Sequence, residues 1–233
     1  MKSYTEIHTL GGDEEFLAYT SQPSKPPSAA IVVIQEIFGV NEGIRRKCDD
    51  FAAQGYLAIA PDLFWRIRPG IELDPDVPEQ LQEGFALFGQ FDQDQGIRDL
   101  EATIREARRL LGGNGKVGAV GFCLGGRLAY LCATRTDIDA SVGYYPVGID
   151  GIIHESHAIA RPLALHIAGA DGFVPEEVQK AMHAGLDDHP KVTLYDYPGL
   201  DHGFAASMGQ RRNEVGARLA DERTSAFFAQ HLG

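Results

Sequence analysis

The chain has 233 residues, of which 44% are hydrophobic, and this length fits one large core in a single domain over residues 1–233. Its formal net charge of −12 argues against nucleic acid and anionic membranes as partners. Three cysteines do not suggest a disulfide framework, and the sequence shows neither an apolar h-region in its first residues nor an apolar run of about 18 residues. We therefore expect a cytoplasmic protein, and we expect it to be a monomer.

Strand and helix patterns alternate along the chain. The apolar periodicity and the turn residues predict an N-terminal hairpin, two strands separated by a helix, a long loop over the functional site (residues 61–78), a mostly helical stretch and then further strand–helix units. The predicted bounds are strands 6–10, 15–20, 31–35, 56–60, 117–121, 140–144, 162–169 and 192–197, and helices 45–54, 81–111, 127–134 and 213–228. This order predicts an α/β fold with a mostly parallel, doubly wound sheet flanked by helices.

The most informative motif is Gly121-Phe-Cys-Leu-Gly125, which lies between an apolar strand and a helix-forming run. It matches the nucleophile elbow of α/β-hydrolases, with cysteine in place of serine. The sharp turn forces strained backbone geometry on Cys123, and the glycines leave room for it. The Leu124 N–H then lies where an oxyanion would form, and the helix N-terminus favours a thiolate. For this motif alone, the alternative is a buried structural cysteine.

Two later loops carry residues suited to activate Cys123. Asp171 follows a short buried-strand pattern, and His202 lies in a glycine-flanked loop after a late strand. This order of nucleophile, acid and histidine is that of α/β-hydrolases. His202 would accept the thiol proton, and Asp171 would orient the imidazole. Asp201 is the alternative orienting residue, but a neighbour of His202 in sequence would have to fold back sharply to reach the ring.

A fourth candidate follows the first buried strand. Glu36 ends the apolar run Ala29–Gln35, where a buried, unpaired carboxylate costs several kcal/mol. The alternative is a solvated carboxylate at the strand end. In this fold the loop after this strand supplies the second oxyanion-hole N–H, which here is that of Ile37.

With these motifs the sequence resembles the dienelactone hydrolases (carboxymethylenebutenolidases) over nearly the whole chain. The resemblance rests on the Asp171 and His202 loops and on four segments: Gln35-Glu-Ile-Phe-Gly-Val-Asn41, residues 55–63, residues 115–126, and Val142-Gly-Tyr-Tyr145. It implies hydrolysis of a lactone or enol ester through an acyl-enzyme, without metal or cofactor. It also implies that Glu36 contacts the resting thiol of Cys123 and can receive its proton when substrate binds.

The chain departs from this family in the expected substrate pocket. Two family arginines that bind the substrate carboxylate correspond to Leu81 and Ala206, and a pocket tyrosine corresponds to Phe85. We assign Tyr144 and Phe204 to the same pocket. Loss of both cations favours a small neutral or weakly anionic ester or lactone as substrate. Arg66 and Arg68 either replace the cations from another loop or are solvated charges.

A second function class remains for the same fold. A pseudoenzyme or thiol redox sensor would use a reactive Cys123 without hydrolysing esters. Cys132 lies about 13 Å further along the predicted helix, too far to resolve an oxidised Cys123. The accompanying Glu36, Asp171 and His202 favour the hydrolase.

Overall fold

The computed structural model describes residues 3–233, and within them the chain forms one eight-stranded sheet in the order β1-β2-β4-β3-β5-β6-β7-β8. The strands β1 and β2 are antiparallel to each other, β2 is antiparallel to β4, and the remaining neighbours are parallel. The α/β fold with a mostly parallel sheet is therefore confirmed. The strand bounds are β1 (Ser3–His8), β2 (Glu15–Ser21), β3 (Ala29–Ile34), β4 (Leu57–Pro61), β5 (Lys116–Phe122), β6 (Ala140–Tyr144), β7 (Leu163–Ala168) and β8 (Val192–Tyr197).

The helices lie between and after these strands. Their bounds are α1 (Glu42–Ala53), α2 (Pro78–Gln90), α3 (Gln93–Leu110), α4 (Leu124–Arg135), α5 (Glu176–Leu186) and α6 (Glu214–Leu232), with a short 3-10 helix at Ile153–Ala158. The stretch predicted as mostly helical is divided into α2 and α3, because Asp92 accepts hydrogen bonds from the N–H groups of Asp94 and Gln95 and so caps a new helix. Within residues 3–233 no helix combines the length and the apolarity that a bilayer span requires.

Helices cover both faces of the sheet. Along β3, Val32 and Ile34 belong to one apolar cluster, and Ile31 and Val33 belong to the cluster on the opposite face. Residues from α3, α4 and α5 pack in the first cluster, and residues from α1 and α6 pack in the second. Strand residues buried on both faces are typical of a parallel sheet between two helical layers.

The parallel strands all present their carboxyl ends at one edge of the sheet. The residues predicted to be functional follow β3, β5, β7 and β8 at that edge, and they are Glu36, Cys123, Asp171 and His202. Open α/β sheets bind their ligands at this edge.

Candidate active site

Cys123 lies in a sharp turn between β5 and α4. Its φ and ψ are 57° and −114°, so the backbone is left-handed at a residue that has a side chain. The turn requires glycine on both sides: a Cβ on Gly121 would lie 1.8 Å from the carbonyl oxygen of Gly125, and a Cβ on Gly125 would lie 2.4 Å from the carbonyl oxygen of Ile34. The Cys123 N–H donates to the Tyr144 carbonyl at 3.1 Å, which ties the turn to the neighbouring strand. The thiol is only partly buried.

His202 and Asp171 form a buried pair beside this thiol. The distance from His202 Nδ1 to Asp171 Oδ2 is 2.9 Å, and the side chains are 8% and 1% exposed. Asp171 also accepts the N–H groups of Phe173 and Val174 at 2.8 and 3.1 Å, so its carboxylate is held in one orientation. With Nδ1 bound to Asp171, Nε2 is the ring nitrogen left for Cys123.

The surroundings of His202 favour its charged form. Burial acts to lower the pKa of His202, but the charge of Cys123 and the hydrogen bonds to Asp171 and Cys123 outweigh it and raise the pKa to about 10. An imidazole of this kind holds a proton strongly when a thiolate is its neighbour. The arrangement therefore suits an imidazolium at His202 during the reaction.

Asp201 does not orient the ring of His202, which was the alternative role considered for it. Its Oδ1 accepts the N–H groups of Gly172 and His202 at 3.0 and 2.7 Å. It makes these bonds to backbone atoms, whereas the ring of His202 bonds to Asp171. Asp201 thus joins the two loops that carry the pair.

Glu36 lines the same cavity as Cys123 and His202. Burial raises the pKa of Glu36, and four neighbours act in the opposite direction, namely His202, Lys47, Tyr145 and Arg211. A raised pKa makes the carboxylate a better proton acceptor than an exposed glutamate. Its position and environment suit exchange of a proton with a thiol.

The two predicted oxyanion-hole residues flank Cys123. Leu124 is the first residue of α4, so its N–H has no acceptor within the helix. Ile37 follows β3 and lines the cavity beside Cys123. Both belong to the turns that the prediction named.

The cavity above the thiol has a volume of about 220 Å³ and mostly apolar walls. Leu81, Phe85 and Ala206 line it, as the sequence suggested. The assignment of Tyr144 and Phe204 to its lining is wrong, because both are 1% exposed and neither reaches the cavity. The Tyr144 side chain instead bonds to Thr224 at 2.6 Å in the core, and Phe204 packs against Tyr197.

The cavity is lined by a cation, Arg211, that was not predicted from the sequence. Arg66 pairs with Asp99, and Arg68 pairs with Glu83, and neither lines the cavity. Arg211 does line it, with its guanidinium 5.5 Å from the centre of the Phe173 ring and 3.8 Å from the Asp201 carboxylate. The available signal was that Arg211 lies in the same long loop as His202. Within residues 3–233 no cluster of three or more His, Cys, Asp or Glu side chains is arranged to hold a metal ion.

Comparison with known proteins agrees with this geometry. A sequence model of the dienelactone hydrolase family matches residues 16–232. The chain belongs to the dienelactone hydrolase family. It is 44% identical to the "Putative carboxymethylenebutenolidase" of Azospirillum brasilense over 98% of this chain and 100% of that protein. It is 38% identical to the carboxymethylenebutenolidase of Pseudomonas putida over 95% of this chain and 92% of that one.

Solved structures of the family share the same fold. The crystal structure of a "Putative Dienelactone Hydrolase" from Klebsiella pneumoniae superposes with a TM-score of 0.85 at 28% identity and covers 99% of both chains. The chain is thus an α/β-fold hydrolase of the dienelactone hydrolase family.

Proposed function

We propose that this dienelactone hydrolase family member cleaves a small carboxylic ester or lactone through a Cys123–His202–Asp171 triad and an acyl-enzyme. The observation that carries the proposal is the placement of a strained, partly exposed thiol beside a histidine whose Nδ1 is fixed by a buried carboxylate. A nucleophile, a base and an orienting carboxylate within one cavity are the parts that acyl transfer requires.

The proposed reaction has two steps. The sulfur of Cys123 attacks the substrate carbonyl carbon, and the N–H groups of Ile37 and Leu124 stabilise the oxyanion. As the ester C–O bond breaks, His202 donates its proton to the leaving oxygen, and a thioester remains on Cys123. Water then attacks the thioester, His202 takes the proton of this water, and the carboxylic acid leaves as the thiolate returns.

Glu36 is proposed to accept the proton of the resting Cys123 thiol when substrate binds. Its carboxylate lines the cavity with Cys123, and its raised pKa makes it a better proton acceptor than an exposed glutamate. Transfer of the thiol proton to Glu36 upon substrate binding would produce the nucleophile only when there is an ester to attack. This gating limits side reactions of the partly exposed thiol.

The cavity walls support a substrate that is largely apolar. The aromatic side chains among the lining residues are Phe38, Phe85, Phe88 and Phe173. The charge of Arg211 is partly offset by Asp201 and by the Phe173 ring. We therefore propose a preference for neutral or weakly anionic esters and lactones.

A redox-sensing function has less support. It would need a second thiol to resolve an oxidised Cys123, but Cys48 and Cys132 are fully buried. Burial raises the pKa of Cys132 to about 12, which keeps it a thiol.

The test is a panel of p-nitrophenyl esters and small lactones with wild type, Cys123→Ala and Cys123→Ser. We expect turnover by wild type, slow turnover by the serine variant and none by the alanine variant, with all three folded by circular dichroism. Activity of Cys123→Ala within twofold of wild type would remove Cys123 from the reaction. An inactive wild type whose Cys123 is reversibly oxidised by peroxide would favour the redox alternative.

A further inference from the structure

Tyr145 has an unusual backbone for a residue next to the active site. It follows β6 with a φ of 36°, and among the described non-glycine residues the other positive φ belongs to Cys123. Its N–H donates to the His166 carbonyl at 2.7 Å, which fixes this conformation. A left-handed backbone is unfavourable for a tyrosine, and such strain persists where the surrounding structure determines it, often at functional sites.

The ring of Tyr145 packs against the ring of His202. The ring centre lies 4.8 Å from that of His202, at an interplanar angle of 60°. The side chain is 1% exposed, and it also packs edge-on against Phe204 at 5.7 Å. The preceding residue, Tyr144, instead directs its hydroxyl to Thr224 and Asp221 in the core.

The hydroxyl of Tyr145 is buried and completes no hydrogen bond with the residues that the structure describes. Buried polar atoms without a partner are rare and costly, so a donor at this position is expected to have an acceptor close by. Burial, followed by the charges of Glu36 and Cys123, raises the pKa of Tyr145 well above its usual value. The hydroxyl therefore stays protonated beside these two groups, as a donor.

Glu36 is the candidate acceptor for this hydroxyl, because it lines the cavity together with His202, and the ring of His202 contacts that of Tyr145. Interaction with the Tyr145 hydroxyl favours the ionised form of Glu36, against the effect of burial. The other charged or titratable groups that act on Glu36 come from α1 and from the loop after β8, and they are Lys47, His202 and Arg211. Cys123, after β5, lines the same cavity. Lys47 is already paired with Asp221 at 2.8 Å, and Arg211 lies at the cavity wall.

We propose that Tyr145 is a positioning residue whose hydroxyl donates to the ionised Glu36 carboxylate and keeps it ready to accept the thiol proton of Cys123. This inference rests on the role proposed above for Glu36. When Glu36 is ionised, the hydroxyl donates a charge-assisted hydrogen bond to it. When Glu36 takes the thiol proton it becomes neutral, and the hydroxyl loses its charged acceptor. Tyr145 thus acts on the chemistry through Glu36 and not through the substrate.

The test is the pH profile of Cys123 alkylation by iodoacetamide in the free protein. The inflection that Glu36→Gln removes belongs to Glu36. We expect Tyr145→Phe to move this inflection to higher pH by about one unit, because a hydrogen bond to a charged group shifts a pKa by roughly that much. In a Glu36→Gln background, Tyr145→Phe should leave the remaining profile unchanged. Tyr130→Phe, which removes another buried hydroxyl, bonded to the Ile153 carbonyl at 3.3 Å, should not move the inflection.

Replacement of Tyr145 by 3-fluorotyrosine keeps the ring and makes the hydroxyl a stronger donor, so it should move the inflection to lower pH. This variant serves as the test if Tyr145→Phe does not fold. An inflection that stays in place in both Tyr145 variants, or that moves equally in the Glu36→Gln background, overturns the proposal. A profile without any inflection that Glu36→Gln removes overturns it as well. Alkylation needs no ester turnover, so these outcomes are distinct from a failure to hydrolyse esters.

Discussion

Replacing Asp171 by asparagine tests how the buried carboxylate supports His202. The two side chains are bonded at 2.9 Å and are almost fully buried, so solvent screens their interaction weakly. Asparagine keeps the size and one carbonyl oxygen of the side chain, but it removes the charge that stabilises the imidazolium. The expected result is a loss of catalysis without loss of the fold.

The size of the expected loss follows from the attraction between the Asp171 carboxylate and the His202 imidazolium. Opposite unit charges about 4 Å apart attract by about 4 kcal/mol at an effective dielectric constant near 20. If this stabilisation is realised mainly when His202 is charged, its loss corresponds to about a thousandfold decrease in kcat/KM. The pKa of His202 should also fall, because the hydrogen bond to Asp171 is one of the interactions that raise it.

The assay is the rate of p-nitrophenyl acetate hydrolysis over a range of pH, with Asp201→Asn as the matched control. Asp201 is adjacent to His202 in sequence but bonds to backbone N–H groups, which the oxygen of asparagine can still accept. We expect the control to stay within a few-fold of wild type. Similar losses in both variants, or an Asp171→Asn enzyme within tenfold of wild type, would refute the assignment of Asp171 as the residue that orients His202.

Three further predictions concern the turn, the cavity and the core. Gly121→Ala should lower the free energy of unfolding by about 1–3 kcal/mol, because its Cβ would lie 1.8 Å from the Gly125 carbonyl oxygen. An unchanged thermal midpoint of unfolding would contradict this packing argument. Leu81→Arg combined with Ala206→Arg should raise kcat/KM for a carboxylated lactone relative to its methyl ester by about tenfold or more, whereas a wild type that already strongly prefers the free acid would contradict our view of the cavity. Burial, assisted by nearby cations, lowers the pKa of His166 from 6.5 to about 3, so the unfolded chain takes up a proton that the folded chain does not. The free energy of unfolding should therefore fall as the pH is lowered from 6.5 toward 3, and a His166→Gln variant with an equally steep fall would refute this cause.

The sequence predicted the sheet and the order of its main elements because parallel strands buried on both faces leave a clear apolar pattern. The long helical stretch shows where this approach fails. Apolar residues continue through Phe91, and the break between α2 and α3 depends on the cap that Asp92 forms. The helix α5 was not predicted, because its buried residues are only Met182 and Leu186 and its apolar pattern is therefore weak.

The candidate site was predictable where chemistry constrains the local sequence. The glycines around Cys123 and the loops of Asp171 and His202 could be found from spacing and order alone. The orientation of neighbouring side chains could not. Tyr144 was assigned to the cavity, but its side chain lies in the core. The ring that contacts His202 is that of the next residue, Tyr145, which has a left-handed backbone.

The contribution of Arg211 was missed for a related reason. Its sequence context is an irregular loop without periodicity, so nothing in the local pattern indicates which way the guanidinium points. Its place in the cavity depends on the path of the loop after His202 and on the contact with Phe173.

Trapping the acyl-enzyme tests the central claim most directly. Wild type is mixed with an ester whose deacylation is slow, quenched in acid within milliseconds to seconds, digested and analysed by mass spectrometry. The account predicts one acyl group on the peptide that contains Cys123, present in wild type, absent in Cys123→Ala and removed by hydroxylamine. An acyl group on another residue, or ester turnover by Cys123→Ala at the wild-type rate, would contradict a mechanism through the Cys123 thiolate.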